Sequence, residues 1–529
     1  MGIYLNPGNG LFQQALNSEI YVDKSMLIKT TNRNSFTEQK YICVSRPRRF
    51  GKSINLGMLA AYYSCGCDSK EMFDALAISK DESYLKHLNK YNVIYINMQR
   101  FLSNSKNIDD MLLLLQKRLI KDFKKELPDI DIDADDGLSF CLSDIYAETN
   151  KLFVILIDEW DCVMREHQNN KEAQKTYLDF LRDLLKDNDF VALAYMTGIL
   201  PIKKYGTHSA LNMFREFSML NSSELNEYIG FTNSEVKTLC QRFDVDFEEM
   251  RAWYDGYKLN DTELYCPNSV VRALEEKTFA GYWTETETYE ALAVYIAMNY
   301  DGLHDTIQKM LAGQNQPVDT RTFSNDMVTF ANKDDILTLL IHLGYLGYDK
   351  ENKTAYIPNK EIADEFVVSM KATGLWKETI ETVTKSRQLL TDTLKGKSEK
   401  VAESIQKIHS QNSSIINYNN EQSLRFIILI AYYYAKEQYT IIQEMPSGEG
   451  FADIMFIPKL KVDSTAYPPM VIELKWDHSS DTAIEQIKNR KYFEALESFD
   501  KVLLVGISYE KGGKGHQCTI EEHKINERN

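Results

Sequence analysis

No stretch of this 529-residue chain is apolar enough for long enough to cross a bilayer. A spanning helix needs about twenty apolar residues, whereas the longest candidate, Phe426 to Ala435, has ten and includes three tyrosines. A buried helix is the better reading there. The opening Met1-Gly2-Ile3-Tyr4-Leu5-Asn6 has no basic residues ahead of an apolar core, so no secretory leader is expected, and Asn6 departs from the myristoylation pattern. Cysteine pairs at metal-binding spacing are also missing. The eight cysteines are scattered, and Cys65-Gly66-Cys67 is too tightly spaced for zinc and has no second pair. A reduced cytoplasmic interior without structural metal is the expectation. Finally, there is no excess of positive charge: 61 Lys and Arg against 77 Asp and Glu leave a net −16. That excludes a broadly cationic nucleic-acid coat. Nucleic acid would have to be met by a local groove or with the help of divalent metal.

What is present begins at Tyr41. A strand-like run, Tyr41-Ile42-Cys43-Val44, leads through a basic turn, Arg46-Pro47-Arg48-Arg49-Phe50, into Gly51-Lys52-Ser53 and a helix-like segment. A Gly-Lys-Ser where a strand hands over to a helix makes a phosphate cradle, because unpaired N–H groups and the positive end of the helix dipole face the anion. Lys52 can then reach the outer phosphates and the Ser53 hydroxyl can ligate Mg²⁺. The usual glycine five residues before the Gly-Lys pair is replaced by Arg46, and an ordinary basic loop is the competing reading.

A second signal is Leu152-Phe153-Val154-Ile155-Leu156-Ile157-Asp158-Glu159. Six apolar residues in a row suit a strand buried on both faces, and carboxylates at its C-terminal end lie where open α/β sheets bind ligands. Asp158 would hold Mg²⁺, directly or through water, and Glu159 would polarise the attacking water. The strand Phe190–Met196 ends at Thr197-Gly198, where the Thr197 hydroxyl is placed to sense the γ-phosphate or is a plain strand-end threonine. The Asp-rich run 129–137 reads as a solvated loop, since Asp136 and Leu142 stand where a calcium loop needs Gly and Glu.

Together Tyr21-Val22-Asp23-Lys24-Ser25, Arg46–Ser53, Ile157-Asp158-Glu159-Trp160-Asp161 and Thr197-Gly198-Ile199 resemble the predicted AAA-ATPase-like family. Trp253-Tyr254-Asp255-Gly256-Tyr257 and Tyr265-Cys266-Pro267-Asn268-Ser269 resemble its later blocks, in order. The resemblance implies an NTPase of the P-loop class whose cradle normally carries arginine at position 46. It puts Lys52, Ser53, Asp158 and Glu159 in the roles above, with Ser53 and Asp158 toward Mg²⁺, and the candidate contacts to ATP (or another NTP) are Arg46, Pro47, Arg48, Arg49, Phe50, Gly51, Lys52, Ser53 and Thr197.

Further along, residues 221–300 read as mostly helical, a lid or a linker. Asp334–Leu343 has helical spacing and is followed by two short strands around Asp349–Lys353, the outline of a winged helix. Residues 367–415 read as a polar helical connector.

The last third holds Gly448-Glu449-Gly450-Phe451-Ala452-Asp453 and Met470-Val471-Ile472-Glu473-Leu474-Lys475 on two strands expected to pair. Glu473 and Lys475, two apart, share a face. Asp453 and Glu473 can hold one or two Mg²⁺ while Lys475 orients water or steadies the transition state, as phosphodiester cleavage requires. Glu421 could add to the metal shell, and Gln486 on a downstream helix could position water. This arrangement looks like a PD-(D/E)XK nuclease domain, although Phe451 stands where such domains carry arginine. Residues 401–529 hold 14 Lys and Arg against 18 Asp and Glu, so DNA binding by this part alone would be weak. Lys488, Arg490 and Lys491 are either backbone contacts or a solvated face.

The expected fold class is α/β: an N-terminal P-loop NTPase parallel sheet, a helical and winged-helix-like middle, and a C-terminal restriction-endonuclease-like α/β domain. The divisions are 1–220, 221–300, 301–366, 367–415 and 416–529. The expected function is a cytoplasmic ATPase coupled to a Mg²⁺-dependent DNA endonuclease, with DNA as partner, no membrane, and a homo-oligomer left open. A signalling NTPase with a non-cutting C-terminal binding module is the alternative.

Overall fold

A computed structural model describes the chain except residues 1, 134, 203–209, 222–223, 284–287, 299, 326, 374–376, 412–420, 448–449, 460–461, 511–514 and 526–529. It divides into two compact units, residues 1–295 with 315–365 and residues 296–314 with 366–529.

The first unit is organised on five parallel strands: β1 (Tyr41–Ser45), β2 (Asn92–Asn97), β3 (Phe153–Asp158), β4 (Val191–Gly198) and β5 (Arg215–Phe217). Their spatial order is β2-β3-β4-β1-β5. Every residue of β1, β3 and β4 is buried, as their unbroken apolar runs demand of a sheet covered on both faces. Helices Lys52–Tyr63, Ile108–Glu126 and Lys171–Leu185 supply the crossovers that parallel pairing needs. The order matters for chemistry, because β4 is inserted between β1 and β3. Ser45 pairs with Gly198, Ile157 with Met196, and Asn97 with Asp158, so the carboxyl ends of all four strands lie side by side. The short β5 has no apolar run and leaves no trace in the sequence pattern.

Three short strands follow, β6 (Phe231–Thr232), β7 (Tyr257–Leu259) and β8 (Thr262–Tyr265), in the antiparallel order β6-β8-β7. Helix Asn233–Phe243 starts at a capping box, Thr232 with Glu235, and packs Val236 and Leu239 with Met250, Tyr254, Val270 and Leu274. Next, β9 (Gln316–Pro317) precedes helix Lys333–Leu343, which ends at Gly344 with φ 91°. The pair β10 (Gly347–Asp349) and β11 (Thr354–Tyr356) then completes the helix-and-hairpin outline.

The second unit carries β12 (Tyr439–Ser447), β13 (Gly450–Pro458), β14 (Met470–Trp476), β15 (Lys501–Glu510) and β16 (Gly515–Lys524), ordered as numbered. Only β14 and β15 run parallel. One sheet face packs Ile454, Phe456 and Ile472 against Leu424, Ile427 and Ile428 of helix Glu421–Ala431. The other packs Met455, Val471 and Leu504 against Ile484 and Ile487 of helix Ser480–Asn489. Helices Lys377–Leu394 and Ser398–Gln411, from the stretch read as a connector, give Leu389, Leu390, Val401 and Ile405 to this core. Among the described residues, no helix is long and apolar enough to cross a membrane.

Candidate functional site

In the first unit, Gly51 turns β1's trailing loop into helix Lys52–Tyr63 at φ 86°, and Arg49 is also left-handed at φ 70°. A Cβ on Gly51 would meet nothing within 4 Å, so glycine is needed there for its backbone angle and not for space. No side chain caps that helix, which leaves first-turn donors for an anion. Lys52 lies beneath the loop and donates to the carbonyls of Arg46 at 2.9 Å and Pro47 at 2.8 Å. Burial pushes its pKa down, against the opposing pull of Glu159, Asp161 and Asp158.

Asp158, at the end of β3, is the meeting point. Ser53 Oγ donates to its Oδ2 at 2.7 Å, and Thr197 Oγ1, from neighbouring β4, donates to its Oδ1 at 2.6 Å. The Glu159 amide also donates to Oδ1, at 3.0 Å. Serine hydroxyl and aspartate on one spot is the donor set that suits Mg²⁺ beside phosphates. Glu159 itself is left-handed at φ 54° and forms an ion pair with Arg165. Burial raises the Glu159 pKa and Arg165 opposes that shift. Arg165 also reaches Asp161 at 3.3 Å, and Asp161 accepts the amides of Ile199 and Leu200 at 3.0 and 2.8 Å. Asp161 thus braces the ends of β3 and β4 against each other, a role the Asp158–Asp161 block does not by itself assign to it.

An open cleft of about 970 Å³ runs over the cradle, Glu159 and Arg165. Arg48, Arg49, Phe50, Gly51, Lys52, Ser53 and Glu159 line it, with Ile20, Tyr228, Phe231 and Val271 as an apolar wall. Arg46, Pro47, Asp158 and Thr197 do not. The Arg46 side chain is completely buried, donating to the carbonyls of Ser45 (3.1 Å) and Phe217 (3.0 Å) and to Asn226 Oδ1 (3.3 Å). The guanidinium read as an anion contact is instead a strut from the cradle to β5. A later sequence block also meets the loop, Phe50 packing edge-on against Tyr257 at 5.3 Å, and beyond those blocks Trp283 Nε1 donates to the Arg48 carbonyl at 3.3 Å. A Cβ on Gly344 would stand 2.7 Å from Pro47 Cβ, so the loop also requires a glycine opposite it.

In the second unit, β13 and β14 pair antiparallel, with Ile454 opposite Ile472. Just beyond that pair, Glu473 meets Gln486 of helix Ser480–Asn489, while Asp453 accepts the Leu474 amide next to it on β14. Glu473 is 2% exposed. Its Oε1 accepts Lys475 Nζ at 3.0 Å and the Gln486 amide, while its Oε2 is buried with no partner. Burial, then repulsion from Asp453, pushes its pKa up to about 7. Asp453 accepts the Leu474 amide at 2.9 Å and Arg425 Nη2 at 2.8 Å. Arg425, on a largely apolar helix, carried no sequence signal. Glu421 opens that helix, but its side chain lies outside the described residues, as do Gly448 and Glu449. Phe451 is 63% exposed. Among the described residues, no group of three or more His, Cys, Asp or Glu is placed to hold a metal. The pair Asp453 and Glu473 nonetheless fits Mg²⁺, which is held by one or two carboxylates and keeps several waters. The buried Glu473 Oε2, without a hydrogen-bond donor, is an acceptor such an ion would satisfy.

A cradle, a buried aspartate and a strand-end threonine on a parallel sheet define the first unit as a P-loop NTPase-like fold, and the second is a mixed-sheet, nuclease-like fold. More narrowly, residues 12–207 match the family described as predicted AAA-ATPase, and residues 419–521 match the PD-(D/E)XK nuclease superfamily. The chain therefore carries an AAA-ATPase-like domain and a nuclease-superfamily domain. An uncharacterized protein from the vnfD 5' region of Azotobacter chroococcum mcd 1 is 24% identical over 254 residues, 46% of this chain and 47% of that protein. The chain thus spans about half the length of that curated relative. Two solved structures are also similar. The Walker-type ATPase PABY2304 of Pyrococcus abyssi is 13% identical, with TM-score 0.36, over 65% of this chain and 94% of that one. The Aeropyrum pernix ORC2 protein is 11% identical, with TM-score 0.30, over 69% and 98%.

Proposed function

We propose that the chain hydrolyses ATP, or another nucleoside triphosphate, in the first unit and cuts DNA with a divalent metal in the second. The observation that carries the first half is Asp158 held at once by Ser53 and Thr197, beside a cradle whose lysine is already beneath the loop. In this reading Lys52 leaves the Arg46 and Pro47 carbonyls for the outer phosphates, and Glu159 takes the proton of the attacking water. The bond from the γ-phosphorus to the bridging oxygen breaks, releasing phosphate and the diphosphate. Glu159 must first leave Arg165, since a carboxylate in an ion pair is a weak base.

In the second unit, the orphaned Glu473 oxygen beside Asp453, with Lys475 and Gln486 converging, supports phosphodiester hydrolysis. A bound divalent ion would supply charge neutralisation and an acidified water. Asp453 and Glu473 would hold that ion, Gln486 would orient the attacking water, and Lys475 would offset charge developing on the phosphate. Water adds to phosphorus, one ester P–O bond breaks, and the products are a phosphate end and a hydroxyl end. Nucleotide turnover acts as the switch on cutting.

The test is purified protein with plasmid DNA, Mg²⁺ or Mn²⁺ and ATP, beside Lys52→Ala and Lys475→Ala. Cutting that vanishes in Lys475→Ala and turnover that vanishes in Lys52→Ala are the expected results. Turnover unchanged in Lys52→Ala would sink the cradle assignment. Intact turnover with no cutting under any metal or nucleotide condition would leave a signalling NTPase with a non-cutting module.

A further inference from the structure

Both oxygens of Asp453 are already engaged within the fold. One of its oxygens accepts Arg425 Nη2 at 2.8 Å and the other the Leu474 amide at 2.9 Å. Arg425 is also bound on its far side, Nη1 donating to Glu444 Oε1 at 2.5 Å, and its Nε is buried without a partner. Glu444 is unusual in its own right. Pairing of β12 with β13 runs from Gln443 opposite Ile454 to Met445 opposite Ala452 and skips the pair Glu444 and Asp453. There Glu444 adopts φ 49°, a left-handed conformation that costs a non-glycine residue about 1 kcal/mol. A strained residue in mid-strand, directly opposite Asp453, thus holds the far arm of the guanidinium. Glu444 is 67% exposed at its side chain, whereas Arg425 and Asp453 are both 16% exposed.

We propose that Arg425 is a resident cation that occupies Asp453 in the metal-free protein, and that a divalent ion must displace it, with Glu444 keeping the guanidinium once it leaves. The inference rests on reading Asp453 and Glu473 as the metal pair. Arg425 is a positioning residue in this scheme. It keeps two neighbouring carboxylates from repelling each other before metal arrives, and it makes apparent metal affinity depend on how firmly Asp453 is held.

The test is Mn²⁺ titration by calorimetry on the nucleotide-free full chain, taking binding that Asp453→Asn removes as the signal from this site. If Arg425 occupies Asp453 about nine-tenths of the time, Arg425→Gln tightens Mn²⁺ binding about tenfold. Glu444→Gln removes the second seat and weakens it by a similar factor, about tenfold, in the wild-type background but less than about twofold in Arg425→Gln. Thermal melts establish that each variant is folded, and Glu444→Gln carries the test if Arg425→Gln is not. Binding that Asp453→Asn abolishes, yet that is no tighter in Arg425→Gln, overturns the displacement and leaves the metal pair standing. Equal Glu444→Gln effects in both backgrounds overturn it as well. No Mn²⁺ signal that Asp453→Asn removes, in wild type or Arg425→Gln, overturns the metal pair itself.

Discussion

Thr197 Oγ1 lies 2.6 Å from Asp158 Oδ1, joining the ends of two neighbouring parallel strands. Both residues are buried, at 1% exposure each. The contact exists because β4 runs between the strand that feeds the cradle and the strand that ends in Asp158. A threonine at that position therefore fixes the orientation of the carboxylate that Ser53 shares on its other side. Thr197→Val keeps the shape and removes the donor. We expect a loss of about 1–3 kcal/mol of stability. Turnover is expected to fall about tenfold or more, with nucleotide binding retained and a higher Mg²⁺ requirement. Thr197→Ser restores both, and steady-state turnover against Mg²⁺ concentration is the measurement.

Arg46 carries the clearest stability prediction. Among the described residues its guanidinium has no carboxylate partner, only the carbonyls of Ser45 and Phe217 and the Asn226 amide oxygen. Burial pushes its pKa down to about 10, so it stays charged at neutral pH. Arg46→Gly, which would recreate the common glycine pattern of the cradle, leaves a void and unpaired acceptors at β5. A loss of about 3 kcal/mol or more is expected, read from the denaturant midpoint. A midpoint equal to wild type would show that the strut is dispensable.

These two residues also show what the sequence made legible. The strands β1, β2, β3 and β4 were readable because each is an unbroken apolar run between helical periods, and the cradle because Gly51-Lys52-Ser53 sits at a strand-to-helix handover. What escaped was every interaction made by a side chain with no periodic partner. Arg46 stands in a run of basic residues, and only tertiary structure decides that its side chain turns inward while Arg48 and Arg49 line the cleft. Arg165 and Arg425 each neutralise an acidic group that was read, Glu159 and Asp453, yet both sit on helices where a lone arginine has the pattern of an ordinary surface residue. The buried helix expected over Phe426–Ala435 ends at Ala431 and gives way to a tighter 3₁₀ turn, Tyr433–Glu437, a change of winding that apolar spacing does not encode.

Glu361 makes the first unit's stability depend on pH. Its carboxylate is 2% exposed and accepts Ser269 Oγ at 2.9 Å and the Trp283 amide at 2.7 Å. Burial dominates all the same and pushes its pKa up to about 7. A carboxyl raised in the fold binds its proton more tightly than in the unfolded chain. Its contribution is therefore full below about pH 4.5 and is lost as pH rises to about 7. Glu361→Gln removes that titration. The variant is expected to be more stable than wild type at pH 8 and to have a flatter melting profile between pH 5 and 8. A wild-type melting temperature that rises over this interval with no flattening in the variant would contradict the assignment.

Glu473 ties the same physics to the second unit. Burial and the nearby Asp453 hold its proton up to about pH 7, with Lys475 opposing them. The acid form cannot serve a divalent ion well, so metal and proton compete for one carboxylate. Below about pH 7, apparent Mn²⁺ affinity should fall about tenfold per pH unit, and above about pH 8 it should level off. Lys475→Met removes the ammonium 3.0 Å from Oε1, the group that favours the charged form. The fall must then begin at higher pH in that variant. In Glu473→Gln, which cannot titrate, residual binding should lose this inflection. Mn²⁺ titrations from pH 5.5 to 8.5 on the three proteins check the order of the curves. An inflection at the same pH in wild type and Lys475→Met would show that another group governs the site.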